Sequence, residues 1–594
     1  MFAWDARELN SEQAAAVEEP ASALLIACPG SGKTRTLTYK IAYELSRSTN
    51  KRFVVAITYT HRAADEIQER IEDLGVDTSS LWIGTIHSFC LEWIIKPYGI
   101  YLPELERGYR VLDKHDRELM LERLCAPYSG ITHWDCDYYF SETGYNLGCA
   151  DTKKHAALHK ILEEYFRELT EARQIDFELI LWYANALIRG QQHIASLLSQ
   201  VFSYILIDEY QDTKQIQYSI LTAILRAGAG RTKTFIVGDP NQAIYGSLGG
   251  DAISVSDLRA QAGIPIKEMA LSRNYRSSNR IISYFSNFNV HAASISGVGL
   301  TATFPSKVSY NQHVTHADLH DEVVRLIQKS LAAGHSPEEI CVIAPWWILL
   351  ASTTRRLVAM LPNQQFDGPG LVPFSNDFDN FWFKVSKILL TESSPKMLVR
   401  RMRWAKDVIN DLGDFGVDIS RLAPRLLLRE CNSILIPETD GIAYLDQAFT
   451  ALLGRLGIAL GSFPTLVEHR EAFFRSSQSR IDRLQREGAP YINDISFFRK
   501  VFRERTGITV STIHGVKGAE FDVVIAFGLL QGIVPHFTEA ASLDSASKLL
   551  YVVGSRARKH LHLISESGRP QGRYRNYVAT EVLSNCVFDY DASD

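Results

Sequence analysis

The sequence contains no C-x-x-C pair, and its eight cysteines, Cys28, Cys90, Cys125, Cys136, Cys149, Cys341, Cys431 and Cys586, are scattered. Zinc and iron–sulfur modules need clustered thiolates, so this spacing argues against both and leaves most of the cysteines as buried thiols. No stretch reaches the roughly 18 consecutive apolar residues of a membrane span. The start, Met1-Phe2-Ala3-Trp4-Asp5-Ala6-Arg7-Glu8, lacks a basic region followed by an apolar one, so no secretory signal is expected. A soluble cytoplasmic protein with no membrane partner is the expectation. Excess positive charge is also missing. With a net charge of −5 the chain has no global attraction to nucleic acid, and any such binding would need a local cationic surface. There is no internal repeat and no low-complexity tract.

What is present is an ordinary globular composition, 46% apolar and 22% charged over 594 residues. That length allows roughly three to five domains. From residue 22 to about 90, short apolar runs alternate with helix-like segments, the pattern of a parallel sheet covered by helices. Between about 95 and 200, Arg117 to Leu124, Ala156 to Leu169 and Phe177 to Leu187 have helical periodicity, interrupted by an aromatic, polar stretch from His133 to Tyr145. Strand-like runs return near 204–208, 234–239, 268–272, 339–344, 508–513 and 521–528, and the chain between about 370 and 500 reads as helical. We therefore expect an α/β protein of two parallel-sheet halves, each carrying a mainly helical insertion. The halves are residues 1–95 with 200–270 and residues 271–370 with 500–594; the insertions are 96–199 and 371–499.

Two segments carry chemistry. Leu24 to Cys28 is a strand candidate that runs into Pro29-Gly30-Ser31-Gly32-Lys33-Thr34-Arg35 and then into a helical pattern, the context a phosphate-binding loop requires. Glycines let backbone N–H groups face phosphate oxygens, the helix N-terminus favours an anion, Lys33 reaches the β- and γ-phosphates, and Thr34 can ligate Mg²⁺. Ala27 replaces the first glycine of the strict pattern. The second segment, Asp208-Glu209-Tyr210-Gln211-Asp212, follows the apolar run Tyr204 to Ile207. Paired acids at a strand tip are either a solvated edge or a site where one carboxylate holds Mg²⁺ and the next polarises water. A phosphate loop in the same chain favours the second reading, with ATP or GTP and Mg²⁺ as the ligands.

With these segments in place the sequence resembles the UvrD/Rep/PcrA group of superfamily 1A DNA helicases from about residue 8 to 566. Leu9-Asn10-Ser11-Glu12-Gln13 resembles the Q motif, Ala27 to Thr34 motif I, Thr58-Tyr59-Thr60-His61-Arg62-Ala63-Ala64 motif Ia, and Gly84-Thr85-Ile86-His87-Ser88-Phe89 motif Ib. Asp208 to Asp212 resembles motif II, Val237 to Gly246 motif III, Asn274-Tyr275-Arg276-Ser277 motif IV, Thr512 to Phe521 motif V, and Tyr551 to Ala557 motif VI. The resemblance implies RecA-like halves and assigns roles. Gln13 reads adenine, Arg35 and Tyr275 sandwich it, Glu520 holds the ribose, and Pro29, Gly30, Ser31, Gly32, Lys33 and Thr34 cradle phosphate. Thr34 and Asp208 hold the metal, Glu209 activates water, Gln242 senses the γ-phosphate, and Arg276 and Arg556 are the two cleft arginines.

The resemblance further implies that single-stranded or 3′-tailed DNA, with 3′→5′ polarity, is held by Thr58, Tyr59, His61, Arg62, Thr85, His87, Tyr245, Thr512 and His514. Hydroxyls and cations suit phosphates, and aromatics suit bases. The chain departs from the family pattern at Ser247-Leu248, where the group places Trp-Arg with the Trp as a base platform, at Pro240-Asn241, and at Ser545-Ala546-Ser547. A further basic surface is expected from Lys396, Arg400, Arg401, Arg403 and Lys406 on one helix and Arg475, Arg480, Arg483 and Arg486 on another, for duplex DNA or a protein partner. The sequence supports an ATP-dependent translocase or helicase. The alternative is a nucleotide- and DNA-sensing subunit that regulates a partner nuclease, as in Gabija-type anti-phage defence. A fused nuclease is not expected, because only about 28 residues follow the strand at Leu561 to Ser565.

Overall fold

The computed structural model describes the chain apart from residues 1–3, 6, 48–51, 113, 369–371, 375–379, 487–490, 503–505, 537–541, 573–574 and 593–594. The expected boundary at 370/371 lies outside the described residues. Two compact units are present: Met1–Leu112 with Arg117–Leu319 and Ile513–Asp594, and Asp113–Asp116 with His320–Thr512.

The first unit is built on a parallel sheet. Its strands in chain order are β1 (Ala23–Ala27), β2 (Phe53–Thr58), β3 (Leu81–Thr85), β4 (Phe202–Asp208), β5 (Lys233–Gly238) and β6 (Lys267–Leu271), arranged β6-β1-β5-β4-β2-β3. Successive side chains of a strand face opposite ways, so a sheet covered on both sides reads as a continuous apolar run. The two cores divide the strands by this alternation. Leu25, Val54, Ala56, Leu206 and Val237 pack with Leu37 and Ile41 of α2 (Lys33–Arg47) and Ile67 and Ile71 of α3 (His61–Asp73). Leu24, Val55, Ile57, Ile205 and Ile207 face the opposite core, beside Ile216 and Ile220 of the helix Gln215–Gly228. Each such leucine, isoleucine or valine, fully buried, contributes roughly 1.5–3 kcal/mol.

That second core continues into the helical insertion. Leu158, Leu162 and Tyr165 of α4 (Thr152–Glu171) and Ile180, Leu181 and Ala184 of α5 (Phe177–Gly190) belong to it. Asp176 starts α5 by accepting from Leu179 N at 3.0 Å, a cap worth about 1 kcal/mol. The aromatic stretch that interrupts the helical periodicity forms an antiparallel hairpin, Tyr138–Phe140 with Tyr145–Leu147. The same unit carries a parallel run of β7 (Lys307–Asn311), β12 (Ala557–Ile564) and β11 (Phe521–Ala526), with β12 between the other two. The helix α6 (Ser542–Ser555) leads into β12.

The second unit contains β8 (Ile340–Ala344), β9 (Phe366–Asp367) and β10 (Ile508–Thr512), with β10 pairing in parallel to both. Between β9 and β10 the chain is helical, from Phe381–Leu389 to Ile495–Lys500, around a core that includes Trp382, Phe449 and Phe498. The expected basic surface on Leu398–Asp414 is corrected at Arg401. The helix buries Arg401, Trp404, Ala405, Val408, Ile409 and Leu412, a 3,4-spaced stripe on which Arg401 falls. Its guanidinium donates to Ile388 O at 3.0 Å and to Asn432 Oδ1 at 2.7 Å. The Lys396 side chain lies outside the described residues. No helix among the described residues is long and apolar enough to cross a membrane.

Candidate nucleotide site and nucleic-acid interface

β1 ends at Ala27, and the chain turns through Cys28-Pro29-Gly30-Ser31-Gly32 into α2 at Lys33. Ala27, in place of the strict pattern's glycine, is the last strand residue, in register with Leu271, where no special backbone is needed. Gly30 and Gly32 have φ of +67° and +80°, a region that strains any side chain. At Gly30 space forbids one as well. A Cβ on Gly30 would lie 2.6 Å from Arg276 Cβ, and one on Gly32 would lie 2.6 Å from Gln13 Nε2. Four hydrogen bonds brace the loop: Ser31 Oγ donates to Cys28 O (2.7 Å), Gln13 Nε2 to Ser31 O (2.9 Å), Asn274 Nδ2 to Pro29 O (2.7 Å), and Tyr275 N to Gly30 O (2.9 Å). The free N–H groups at the start of α2 and the Lys33 ammonium make this loop an anion cradle.

Asp208 closes β4, and Glu209 follows in the left-handed region at φ +53°, ψ +49°. For a residue with a side chain this conformation costs on the order of 1–3 kcal/mol. It brings the Glu209 carboxylate to 3.3 Å from Lys33 Nζ, where it also accepts from Gln211 Nε2. Burial pushes Glu209 up, but Lys33, Lys517 and the Gln211 hydrogen bond outweigh it and hold the carboxyl below its ordinary range. Asp208 moves the other way, raised first by burial and then by the neighbouring Glu209 charge. Two acids on one strand tip are thus driven apart in acidity. Asp212 accepts from Lys517 Nζ on both oxygens, at 2.5 and 2.7 Å, and Lys517 donates further to Gln242 O at 2.8 Å. Burial pushes Asp212 up to about 6 against the opposing pull of Lys517, so its carboxyl is mainly ionised at neutral pH.

The cations that face these acids come from later in the chain. Arg556 is 1% exposed. Its guanidinium donates to neutral oxygens: Val552 O at 3.2 Å, Ala519 O at 3.3 Å, Gln242 Oε1 at 2.8 Å and Ser555 Oγ at 3.0 Å. Burial, and then the nearby Arg276, push it down to about 9, still a cation at neutral pH. Arg276 donates to Glu520 Oε2 at 2.5 Å and to Ser555 O at 2.9 Å. Gln242 is held between cation and acid, since its Nε2 donates to Asp239 Oδ2 at 2.7 Å, and the same oxygen accepts from Tyr551 OH at 3.2 Å. Gln211 ties the two strand ends together, with Oε1 accepting from Asp239 N at 3.0 Å.

Around the loop, Gln13 spends its amide inside the protein, accepting from Asn10 N at 2.9 Å while it donates to Ser31 O. Tyr275, 43% exposed, accepts from Asn10 Nδ2 at 2.7 Å. Arg35 Nη1 donates to Glu8 O at 3.2 Å. Both side chains flank the segment that leads into α1 (Ser11–Glu18). Glu520 is taken by Arg276 and lies 3.6 Å from Arg558. Thr34 sits in the first turn of α2 and Asp208 at the end of β4. No group of three or more acids, histidines or cysteines capable of holding a metal occurs among the described residues.

The expected nucleic-acid residues separate into two kinds. Tyr59, Tyr245 and His514 form a run of rings, with centroids 5.1 Å apart for Tyr59 and Tyr245 and 5.2 Å for Tyr245 and His514. Lys517 Nζ lies 5.3 Å from the Tyr245 ring centre. Tyr59 and Arg62 are exposed and His61 is half-buried. Thr58 and Thr85 are buried: Thr58 donates to Thr60 O at 2.9 Å, and Thr85 caps the turn Ile86–Phe89 by accepting from Ser88 N at 3.3 Å. His87 has a buried Nε2 with no partner, and burial pushes it down to about 3, so its ring is neutral. A neutral ring at this position could meet nucleic acid by ring contact but not by charge. Thr512 ends β10 in the second unit.

At motif III, Asn241 uses both ends of its amide, donating to His291 O at 2.9 Å and accepting from His291 N at 2.7 Å. A carboxylate could not make the first bond, which accounts for the departure at that position. Leu248 is 47% exposed, and the Ser247 side chain lies outside the described residues. Lys517, Asp239, Gln211, Asn274 and Tyr551 have no role in the sequence reading although each lies within a quoted motif. Their roles are contacts between distant segments, which spacing along the chain does not encode.

A family model described as the UvrD/REP helicase N-terminal domain matches residues 9–262, and one described as the UvrD-like helicase C-terminal domain matches 498–568. The ATP-dependent DNA helicase PcrA of Staphylococcus epidermidis is 24% identical over 652 aligned residues, covering 98% of this chain and 87% of the relative. PcrA of Staphylococcus aureus is 23% identical over 659 residues, covering 97% and 87%.

Proposed function

Since the chain belongs to the UvrD/Rep/PcrA-like superfamily 1A helicases, we propose that it is an ATP-dependent DNA helicase in which hydrolysis at the Lys33–Glu209 centre drives movement along single-stranded DNA with 3′→5′ polarity. The observation that carries the reading is Arg556. A buried guanidinium satisfied by neutral oxygens, beside a second arginine and a glycine loop, is an arrangement completed by an anion.

The residues divide the work by their chemistry. The N–H groups of Gly30 to Thr34 and the Lys33 ammonium receive phosphate oxygens. A phosphate that takes Lys33 away from Glu209 leaves an ionised carboxylate free to orient and deprotonate water. Gln242, with one amide end on Asp239 and the other on Arg556, positions the arginine, and Arg276 adds charge beside Gly30. A hydroxyl and one buried carboxylate, both hard oxygen donors, fit Mg²⁺, which keeps several waters and phosphate oxygens as its other ligands. Thr34 and Asp208 would hold it, and it would neutralise charge developing on the phosphates. Tyr59 and Tyr245 supply ring faces for bases.

The test is ATP hydrolysis with and without single-stranded DNA, together with unwinding of 3′- and 5′-tailed duplexes. Unwinding of the 3′-tailed duplex that disappears in Glu209→Gln supports the reading, and preference for a 5′ tail overturns its polarity. A second reading, regulation of a partner nuclease, is favoured by the Ser247-Leu248 departure. DNA-stimulated hydrolysis without unwinding, with cleavage gained on adding a co-purifying nuclease, would select it.

A further inference from the structure

The motif III loop lacks the tryptophan that its family places after Tyr245-Gly246, yet an aromatic ring lies against that loop from another part of the chain. Tyr139 sits on the first strand of the hairpin Tyr138–Phe140/Tyr145–Leu147. A Cβ built on Gly249 would lie 2.6 Å from Tyr139 Cδ2, 2.8 Å from Cε2 and 3.1 Å from Cγ. The ring therefore rests directly on the backbone of Gly249, whose φ is +86°. Any side chain there would displace it.

The hairpin is fixed in this position by contacts on its far side. Phe140, the next residue, stacks on Trp182 of α5 with centroids 4.7 Å apart and planes 23° apart. Its N–H donates to Glu178 Oε2 at 3.3 Å, and Glu178 is ion-paired with Lys214. Lys214 Nζ lies 5.8 Å from the Tyr139 ring centre, and Lys214 bridges to Gly250 of the motif III loop. Tyr138 is buried on Asp176, to which its hydroxyl donates at 2.7 Å. Alternation along the strand thus turns Tyr138 and Phe140 into the core and Tyr139 out, half-buried. Along the loop, Gly249 directly follows the half-exposed Leu248 and lies four residues after Tyr245 of the aromatic run.

We propose that Tyr139 is a base-stacking residue for single-stranded nucleic acid, supplied by the helical insertion at the motif III loop in place of the motif III tryptophan. A tyrosine offers a π-face to any base, and a ring pinned by Gly249 and its hairpin loses little freedom on binding. The adjacent Lys214 is engaged with Glu178, so the station contributes stacking rather than phosphate charge.

The inference rests on the single-strand binding proposed above, and the experiment separates the two. Binding of a fluorescent oligothymidylate is followed by anisotropy at several salt concentrations for wild type, Tyr139→Ala, Tyr139→Phe and Tyr245→Ala, with thermal melting to confirm folding. Tyr139→Ala should bind about tenfold more weakly, with the same slope of log affinity against log salt, because no phosphate contact is lost. Tyr139→Phe should restore wild-type affinity. Unchanged affinity in Tyr139→Ala while Tyr245→Ala is weakened overturns the inference and leaves the proposed track intact. No binding by the wild-type protein overturns both. A reduced salt slope, or failure of Tyr139→Phe to restore affinity in a protein that melts normally, also overturns stacking by this ring.

Discussion

The nucleotide centre and the aromatic track share segments of the same unit, and they are built on opposite plans. In the centre almost every polar atom is tied down: Gln211, Asp239, Gln242, Lys517 and Arg556 each hold one another or a backbone oxygen. The track is open. Tyr59 and Leu248 are about half exposed, and the expected hydroxyl contacts Thr58 and Thr85 are turned inward on their own loops. Phosphoryl transfer depends on charge held in place before the reaction, whereas grip on a moving strand depends on ring faces that any base can use. On the proposed function, the first task would fall to a tightly specified centre and the second to a few aromatic surfaces.

The comparison is broken most severely by Glu209→Gln. Removal of the base should lower DNA-stimulated ATPase by about 10²–10⁴-fold while a fluorescent nucleotide still binds; hydrolysis near wild type would remove Glu209 from its role. Arg556→Ala should cost about 10³-fold in turnover, at the low end of what a transferred arginine supplies, with nucleotide binding kept. Full activity in that variant would mean that the buried cation does not face phosphate.

A structural break comes next. Asp212→Asn strands the Lys517 ammonium in a buried site and should lower unfolding free energy by about 3–5 kcal/mol, read from denaturant melts. A loss below 1 kcal/mol would show the pair to be solvated. The track is predicted to respond on a smaller scale. Tyr245→Ala should weaken single-strand binding about tenfold without abolishing hydrolysis in the absence of DNA. Ser247→Trp should tighten single-strand binding by up to about tenfold, and no change would mean that the motif III platform is not needed here.

Legibility from sequence followed the same division. The strands were readable because each is an apolar run buried on both faces, as in Leu24 to Ala27 and Tyr204 to Ile207. The helical insertions were readable from 3,4 spacing, except that Arg401 was placed on a surface and lies in the buried stripe of its own helix. Periodicity gives the stripe but charge argues against it, and only the acceptors at Ile388 and Asn432 make burial of the guanidinium tolerable. The charge state of His87 is not legible in sequence, because its neutral ring follows from burial and packing against Phe177, which is distant in sequence.

Taken alone, the sequence determined which residues can do chemistry: a glycine loop with Lys33 and Thr34, paired acids at a strand tip, and arginines in motifs far along the chain. These are properties of residue type and local spacing, so they survive in one dimension. The tertiary structure decided how those residues are used. Gly30 is held against Arg276, Lys517 is spent on Asp212 and Gln242, and Tyr139 is laid on Gly249. Each joins segments more than a hundred residues apart, and such contacts are fixed by the packing of sheet against helix, which no local pattern records.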